Sequence, residues 1–245
     1  MAVQTKGLCK YCGKEYTKSG MLRHLQACKK RSAKLTEEKR KRICQYFQVV
    51  ITGKYQKDYW LIVEASENTT LKELDWFIRD IWVECCEHLS AFTIHGEQYE
   101  SNPDTDSFWG KPSRNMNYRL KDVVDVGDNF LYEYDFGSTT ELVLSIHSCR
   151  DGEKKNNEIV ILSRNNPPKI LCSNCEQNEA KWVNPEGYYE GEPFWCDECL
   201  KAESDEEGEY YKPEFLLPVC NSPRMRVCGY GGSDSYPDQF EPDEQ

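Results

Sequence analysis

No stretch of this 245-residue chain is apolar for the roughly 20 residues a bilayer-spanning helix needs, so a membrane role is not expected. The opening "MAVQTKGLCK" has no apolar run, which argues against a secretory leader and places the chain in the cytoplasm. No Walker loop, H-E-x-x-H or G-x-S-x-G occurs. "DFG" (Asp135–Gly137) stands without the Gly-rich loop, strand lysine and catalytic loop that give that triplet meaning in kinases. No internal repeat is found. Structural disulfides are disfavoured in a reducing compartment, and thirteen cysteines is an odd number for a fully paired framework. Metal is therefore the first reading for the seven that stand at ligand spacing.

What is present is a soluble composition, 38% hydrophobic, 30% charged and 12% aromatic, enough to build a core. The formal charge of −11 is divided unevenly. Met1–Lys57 carries 15 Lys/Arg against 3 Asp/Glu, net +12, and Asp58–Gln245 carries 16 against 39, net −23. A basic arm on an acidic body points either to a polyanion partner, DNA or RNA, for residues 1–45, or to an arm that folds back on its own body. The acidic body itself suits a protein partner.

Cys9-x2-Cys12-x11-His24-x3-Cys28 reads as a Cys-Cys-His-Cys zinc finger over 1–30. The knuckle supplies two thiolates from a tight turn, and a helix places His24 and Cys28 on one face. Tyr16 and Met21 stand where such fingers keep their core, and a unit this small needs its metal to fold. In the common docking mode the base-facing positions are Thr17, Gly20 and Arg23. Gly20 has no side chain to offer, so contact through phosphates is expected instead, from Lys10, Lys14, Lys18, Arg23, Lys29, Lys30 and Arg31.

Cys172-x2-Cys175-x20-Cys196-x2-Cys199 has zinc-ribbon spacing. "AKWVN" and "EPFWC" predict its hairpin, with "PEGYYEG" as the tip and Trp182 and Trp195 as cover for the thiolates. Two Zn2+ ions are thus expected, with iron an alternative at the four-cysteine site. Four thiolates leave no open position, so that site reads as structural. Cys220 and Cys228 read as small buried residues, and Cys44, Cys85, Cys86 and Cys149 as core or surface thiols.

The segments divide as 1–30 finger; 31–45 basic helical linker with Thr36 as N-cap; 46–166 α+β domain; 167–201 ribbon; 202–212 acidic linker; 213–232 compact segment; and 233–245 disordered acidic tail. In the domain, "YFQVVITG" and "YWLIVEAS" predict a hairpin. Leu71, Leu74, Ile78, Ile81 and Trp82 form one helical stripe. "LSAFTIHG", "NFLYEYDFG", "TTELVLSIHSC" and "EIVILSRNNPP" predict further strands, and "RLKDVVDVGD" a short helix.

"TLKEL" (Thr70–Leu74), Ile78, Trp82, "HLSAFTI" (His88–Ile94), Tyr99, "RLKDV" and "FLYEYDFG" (Phe130–Gly137) resemble the Ri-plasmid ORF-three-like family, also known as a passenger TnpR family of bacterial insertion elements. "NSPRMRVCGY" (Asn221–Tyr230) is similar to a segment of its longer members. The resemblance implies a compact α+β domain with a helix packed on a mostly antiparallel sheet, association with mobile elements, and no defined reaction. This chain departs from it at Asp75, where histidine is usual, and at Ser138–Thr140. The leading expectation is a non-enzymatic zinc protein that touches nucleic acid through its arm. The alternatives are an enzyme of nucleic-acid or mobile-element metabolism with a site at His88 and Asp135, and a protein-interaction adaptor. Against catalysis, Asp135 is suited to capping the turn closed by Gly137, with His88 packed at a helix end.

Overall fold

The computed structural model describes residues 4–38, 42–103, 112–156, 159–185, 193–207 and 216–243. It opens with a short hairpin, β1 (Lys6–Leu8) and β2 (Glu15–Thr17), followed by α1 (Lys18–Ala27) and α2 (Lys29–Thr36). Thr36 closes α2 rather than starting a helix: the basic run "KKRSAK" is itself helical, and its hydroxyl bonds back to the Ser32 carbonyl.

The body is one sheet of eight strands. β3 (Ile43–Gly53) and β4 (Trp60–Ser66) form the expected hairpin. β5 (Ser90–Ile94) and β6 (Glu97–Glu100) follow, with β7 (Arg114–Asn115), β8 (Asn129–Tyr134), β9 (Thr140–Glu153) and β10 (Val160–Arg164) completing it. The strand order is β10-β4-β3-β9-β8-β5-β6-β7. Every pairing is antiparallel except β6 with β7, so the body is α+β with a mostly antiparallel sheet.

One helix packs on its front face. α3 (Leu71–Ile78) starts at a capping box: Thr70 Oγ1 accepts from the Glu73 amide, and the Glu73 carboxylate accepts from the Thr70 amide. These bonds satisfy donors that a helix start leaves free. The expected stripe is buried throughout: Leu71, Leu74, Ile78, Ile81 and Trp82 are each 0% exposed. Past Ile78 the helix widens into a π-turn, Arg79–Val83. The helix α4 (Leu120–Val123) buries Leu120 beside it.

β4 is buried along its whole length, which a strand with one wet face would not be. Its residues alternate between two cores. Leu61, Val63 and Ala65 join the α3 side. Trp60 and Ile62, with Val50 and Leu162, meet Met21, Leu25, Cys9 and Cys28 of the finger on the other. The finger is therefore a lid on the back of the sheet. Gly7 bridges to Asn165 at the sheet edge; a Cβ there would collide with the Arg164 carbonyl, so the close approach requires glycine.

Beyond the body, β11 (Trp182–Val183) and β12 (Phe194–Trp195) form the ribbon hairpin. α5 (Asp197–Glu207) runs through the start of the expected acidic linker; the rest of that linker from 208, like the hairpin tip at 186–192, lies outside the described residues. β13 (Leu217–Pro218) adds to β11. The tail expected to be disordered is instead a strap over the described residues 233–243. Tyr236 packs edge-on against Phe77, Asp238 accepts from the Asn221 amide, and Asp243 reaches Lys10 and Lys34. Its aromatic and acidic residues find an apolar ring and two cations, which composition alone does not reveal.

Candidate metal centres

In the finger, the Cys9–Cys12 turn is closed by the Gly13 amide donating to the Cys9 carbonyl, with Gly13 at φ 67°. Thr17 caps α1 by accepting from the Gly20 amide, which sets the helix carrying His24; Cys28 stands at its C-cap. The four ligand atoms of Cys9, Cys12, His24 and Cys28 lie within 4.8 Å of one another, and Cys12 Sγ is 3.2 Å from His24 Nε2. Zinc–sulfur bonds of about 2.3 Å and zinc–nitrogen bonds of about 2.0 Å at tetrahedral angles imply S···S spacings of about 3.8 Å and S···N spacings of about 3.5 Å. The set fits one tetrahedral ion after small adjustments. Tyr16 stacks on the His24 ring at 4.4 Å and 22°, fixing its plane. Burial, with Lys14 nearby, lowers the imidazole's affinity for a proton and so favours the neutral ligand form. Burial also pushes the Cys9 thiol up to about 12, so a cation is required to hold it as a thiolate at neutral pH.

In the ribbon, Cys172 and Cys175 occupy one turn, and Cys196 and Cys199 flank the start of α5. Their sulfurs also lie within 4.8 Å, with Cys175 to Cys196 at 4.0 Å. The amides of Asn178 and Gln177 point at Cys175 and lower its thiol to about 7; amides aimed at sulfur are the means by which a knuckle stabilises thiolates. Trp182 and Cys199 pack on the cluster of Trp195, Leu200 and Leu216, and the Trp182 indole donates to Asp197 at 2.8 Å. Trp195 thus shares a cluster with Cys199, while the Trp182 indole is turned to Asp197.

The seven cations proposed for phosphate contact do not share one fate. Arg31 is turned inward, donating to the Leu25 carbonyl and to Glu64 at 3.0 Å. Glu64 is a buried carboxylate on the sheet's back face that also binds Arg150, and a buried charge needs such partners. Arg31 is thus a docking residue and not open to a phosphate. Lys10 is paired with Asp243 at 2.6 Å, and Lys18 donates to Thr52. Lys14, Arg23, Lys29 and Lys30 are exposed and form no ion pair among the described residues.

His88 and Asp135, far apart in sequence, lie with Nε2 and Oδ2 3.7 Å apart. Asp135 is fully engaged: Oδ1 accepts from the Gly137 and Ser138 amides, and Oδ2 accepts from the buried Arg224 at 2.8 Å. Burial alone would raise this carboxyl, but Arg224 and the two amides hold it below the usual carboxylate value. It is a turn cap and an anchor for Arg224, as its place before Gly137 indicates. A cleft of about 670 Å³ runs beside α3, lined by Lys72, Asp75, Arg79, Glu84 and Asp234 among others. Arg79 pairs there with Asp75 at 2.9 Å and Glu84 at 2.7 Å, and Asp75 also accepts from Ser90 and Tyr132.

Cys220 is buried as expected, but Cys228 is exposed, and its Sγ stands 3.6 Å from His88 Nε2. The reading of Cys228 as a buried filler against the ribbon is overturned, because the segment after Asn221 packs on the body, with Ser222 bonded to the Trp82 carbonyl. "CCEH" is visible in sequence, but no spacing rule joins it to a thiol 140 residues later.

A family described as plasmid pRiA4b ORF-3-like protein matches residues 45–170, just over half of the chain. The chain belongs to this family. The match covers the eight-stranded body and leaves the finger and nearly all of the ribbon outside, and the family takes its description from a plasmid reading frame. No curated protein matches the chain. Among solved structures, a protein of unknown function from Methanosarcina mazei Go1 is similar at 17% identity, covering 49% of this chain and 67% of that one, with a TM-score of 0.39. Among the described residues, no helix is long and apolar enough to cross a membrane.

Proposed function

We propose that this chain is a non-enzymatic zinc protein, associated with mobile elements, whose finger binds nucleic acid through the phosphate backbone. The observation that carries the reading is the contrast among the finger's cations. Lys10, Lys18 and Arg31 are used within the molecule, whereas Lys14, Arg23, Lys29 and Lys30 stay exposed. Lys29 and Lys30 open α2, and Arg23 lies six residues before Lys29 on α1. Gly20 has no side chain, and the Thr17 hydroxyl is held at the helix cap, where it accepts from the Gly20 amide, so base readout is weakened at two of its three expected positions. The acidic body would repel a polyanion and confine contact to this face. Zinc suits thiolate-rich tetrahedral sets without redox chemistry. The engagement of Asp135 by Arg224, and of Asp75 and Glu84 by Arg79, supports a role without catalysis.

The test uses the zinc-loaded full chain, because removing the finger would uncover Trp60 and Ile62. Binding to labelled duplex DNA and to RNA is measured by anisotropy between about 50 and about 200 mM salt, where each phosphate contact contributes a log–log slope of about −0.9 on duplex DNA. The chain is expected to show a slope of about −3 to −4 on DNA, and the Lys14→Ala/Arg23→Ala/Lys29→Ala/Lys30→Ala variant is expected to lose most of it. An unchanged slope in that variant would sink the proposal.

A further inference from the structure

A second cysteine–histidine constellation lies at the opposite end of α3 from its cap. The π-turn ends at Val83, and Cys85, Cys86 and His88 follow before β5 begins. The C-terminal segment returns from the ribbon and lays Cys228 against them. The ligand atoms of Cys85, Cys86, His88 and Cys228 all lie within 4.8 Å of one another. Cys86 Sγ to Cys228 Sγ is 3.8 Å and Cys228 Sγ to His88 Nε2 is 3.6 Å. Those two distances lie within about 0.1 Å of the spacings of about 3.8 and about 3.5 Å that a tetrahedral zinc imposes on its S···S and S···N ligand pairs.

We propose that these four residues hold a third zinc ion, in a closed Cys3His site that fastens the C-terminal segment to the body. The backbone supports the reading. Glu87, between two of the ligands, and Cys228 itself both sit at φ 56°. A left-handed non-glycine residue costs energy and persists where the surroundings demand it; here both turns aim ligands at one point. The buried Arg224 adds the outer shell. It donates to Cys85 Sγ at 3.4 Å while anchored on Asp135, the Ser138 carbonyl and Thr140, and it lies over the Tyr134 ring at 4.8 Å. Three thiolates, one imidazole and Zn2+ sum to a charge of −1, which this guanidinium opposes. With four protein ligands no position is left for substrate, so the ion's work is mechanical. Each thiol gives up its proton when the metal binds.

This site is independent of the nucleic-acid reading and of the finger and ribbon ions. Native mass spectrometry with elemental analysis, on full chain purified under reductant and without chelator, is expected to count three zinc ions per chain. Cys86→Ser/Cys228→Ser, at two exposed positions, is expected to carry two, and His88→Ala to weaken the third ion by about tenfold or more. In both variants, hydrogen exchange over 224–231 should quicken while exchange over 9–28 and 172–199 holds. Two zinc ions in the unaltered chain, both kept in the double variant, would overturn the proposal. So would three ions retained in the double variant, or a denatured mass lighter by two hydrogens with Cys86 and Cys228 joined as a disulfide. Loss of an ion in Cys9→Ser or Cys172→Ser reports on the other two centres and leaves this count separate.

Discussion

The finger and the ribbon have the same ligand count and opposite relations to the body. The finger shares a core with the sheet: Met21 and Leu25 are buried against Trp60, Ile62 and Leu162. The Lys10 amide donates to the Leu162 carbonyl, and Arg31 closes on Glu64. The ribbon keeps to itself. Its own cluster is Trp195, Leu200 and Leu216, and among the described residues its backbone hydrogen bonds close within 170–200 or reach Val219. The same device, four ligand side chains gathered at metal-binding spacing, therefore has two physical meanings. In the finger it shapes a lid that completes a larger core. In the ribbon it replaces a core that is too small to stand alone.

Three measurements sharpen or break that contrast, taken with metal saturating. Trp60→Ala removes the side chain that both finger and sheet bury, 1% exposed with its indole donating to Thr5. A loss of about 3–5 kcal/mol in one cooperative denaturant transition is expected; a separate early transition for the finger would show that the lid is not part of the core. Asp243→Asn tests the strap's hold on the finger. Burial acts to raise this carboxyl, but Lys10 and Lys34 outweigh it and lower its proton affinity. A depressed folded value means the contribution is fully present above the ordinary carboxylate value of about 3.9 and fades as pH falls through the lower folded value. The difference between parent and variant should be under about 1 kcal/mol at neutral pH and vanish in acid; a difference that grows as pH falls would contradict the pairing. Cys172→Ser should abolish amide protection across 172–199 yet move the body's denaturation midpoint by less than about 0.5 kcal/mol. A larger shift would make the ribbon part of the same unit.

Much of this was legible in the chain. The stripe Leu71, Leu74, Ile78, Ile81, Trp82 and the hairpin strands followed from period and β-branched content, and both outer ligand sets followed from spacing. The docking of the finger was harder to read. "YWLIVEAS" carried a signal in its unbroken apolar run, since a strand that alternates cores on two faces has no polar face to show. Arg31 was misjudged because a charge among basic neighbours looks solvated, and only the fold brings Glu64 to it. Cys228 was out of reach for the same reason: its neighbours are supplied by a segment that returns across 140 residues, and no local pattern encodes that return.

The strap has a consequence in time. Lys10 and Asp243 are 233 residues apart, so Lys10 leaves the ribosome long before Asp243. The finger's four candidate ligands are local and are made early, but its seat on Leu162 exists only once β10 has been made, and the strap closes later still. Contacts of such long range must wait for loop closure. Until then the apolar back of the sheet and the inner face of the finger stand open together, an interval in which a nascent chain is prone to stick to others. Asp243 thus acts as a latch that closes on Lys10 and Lys34 after the sheet has been made.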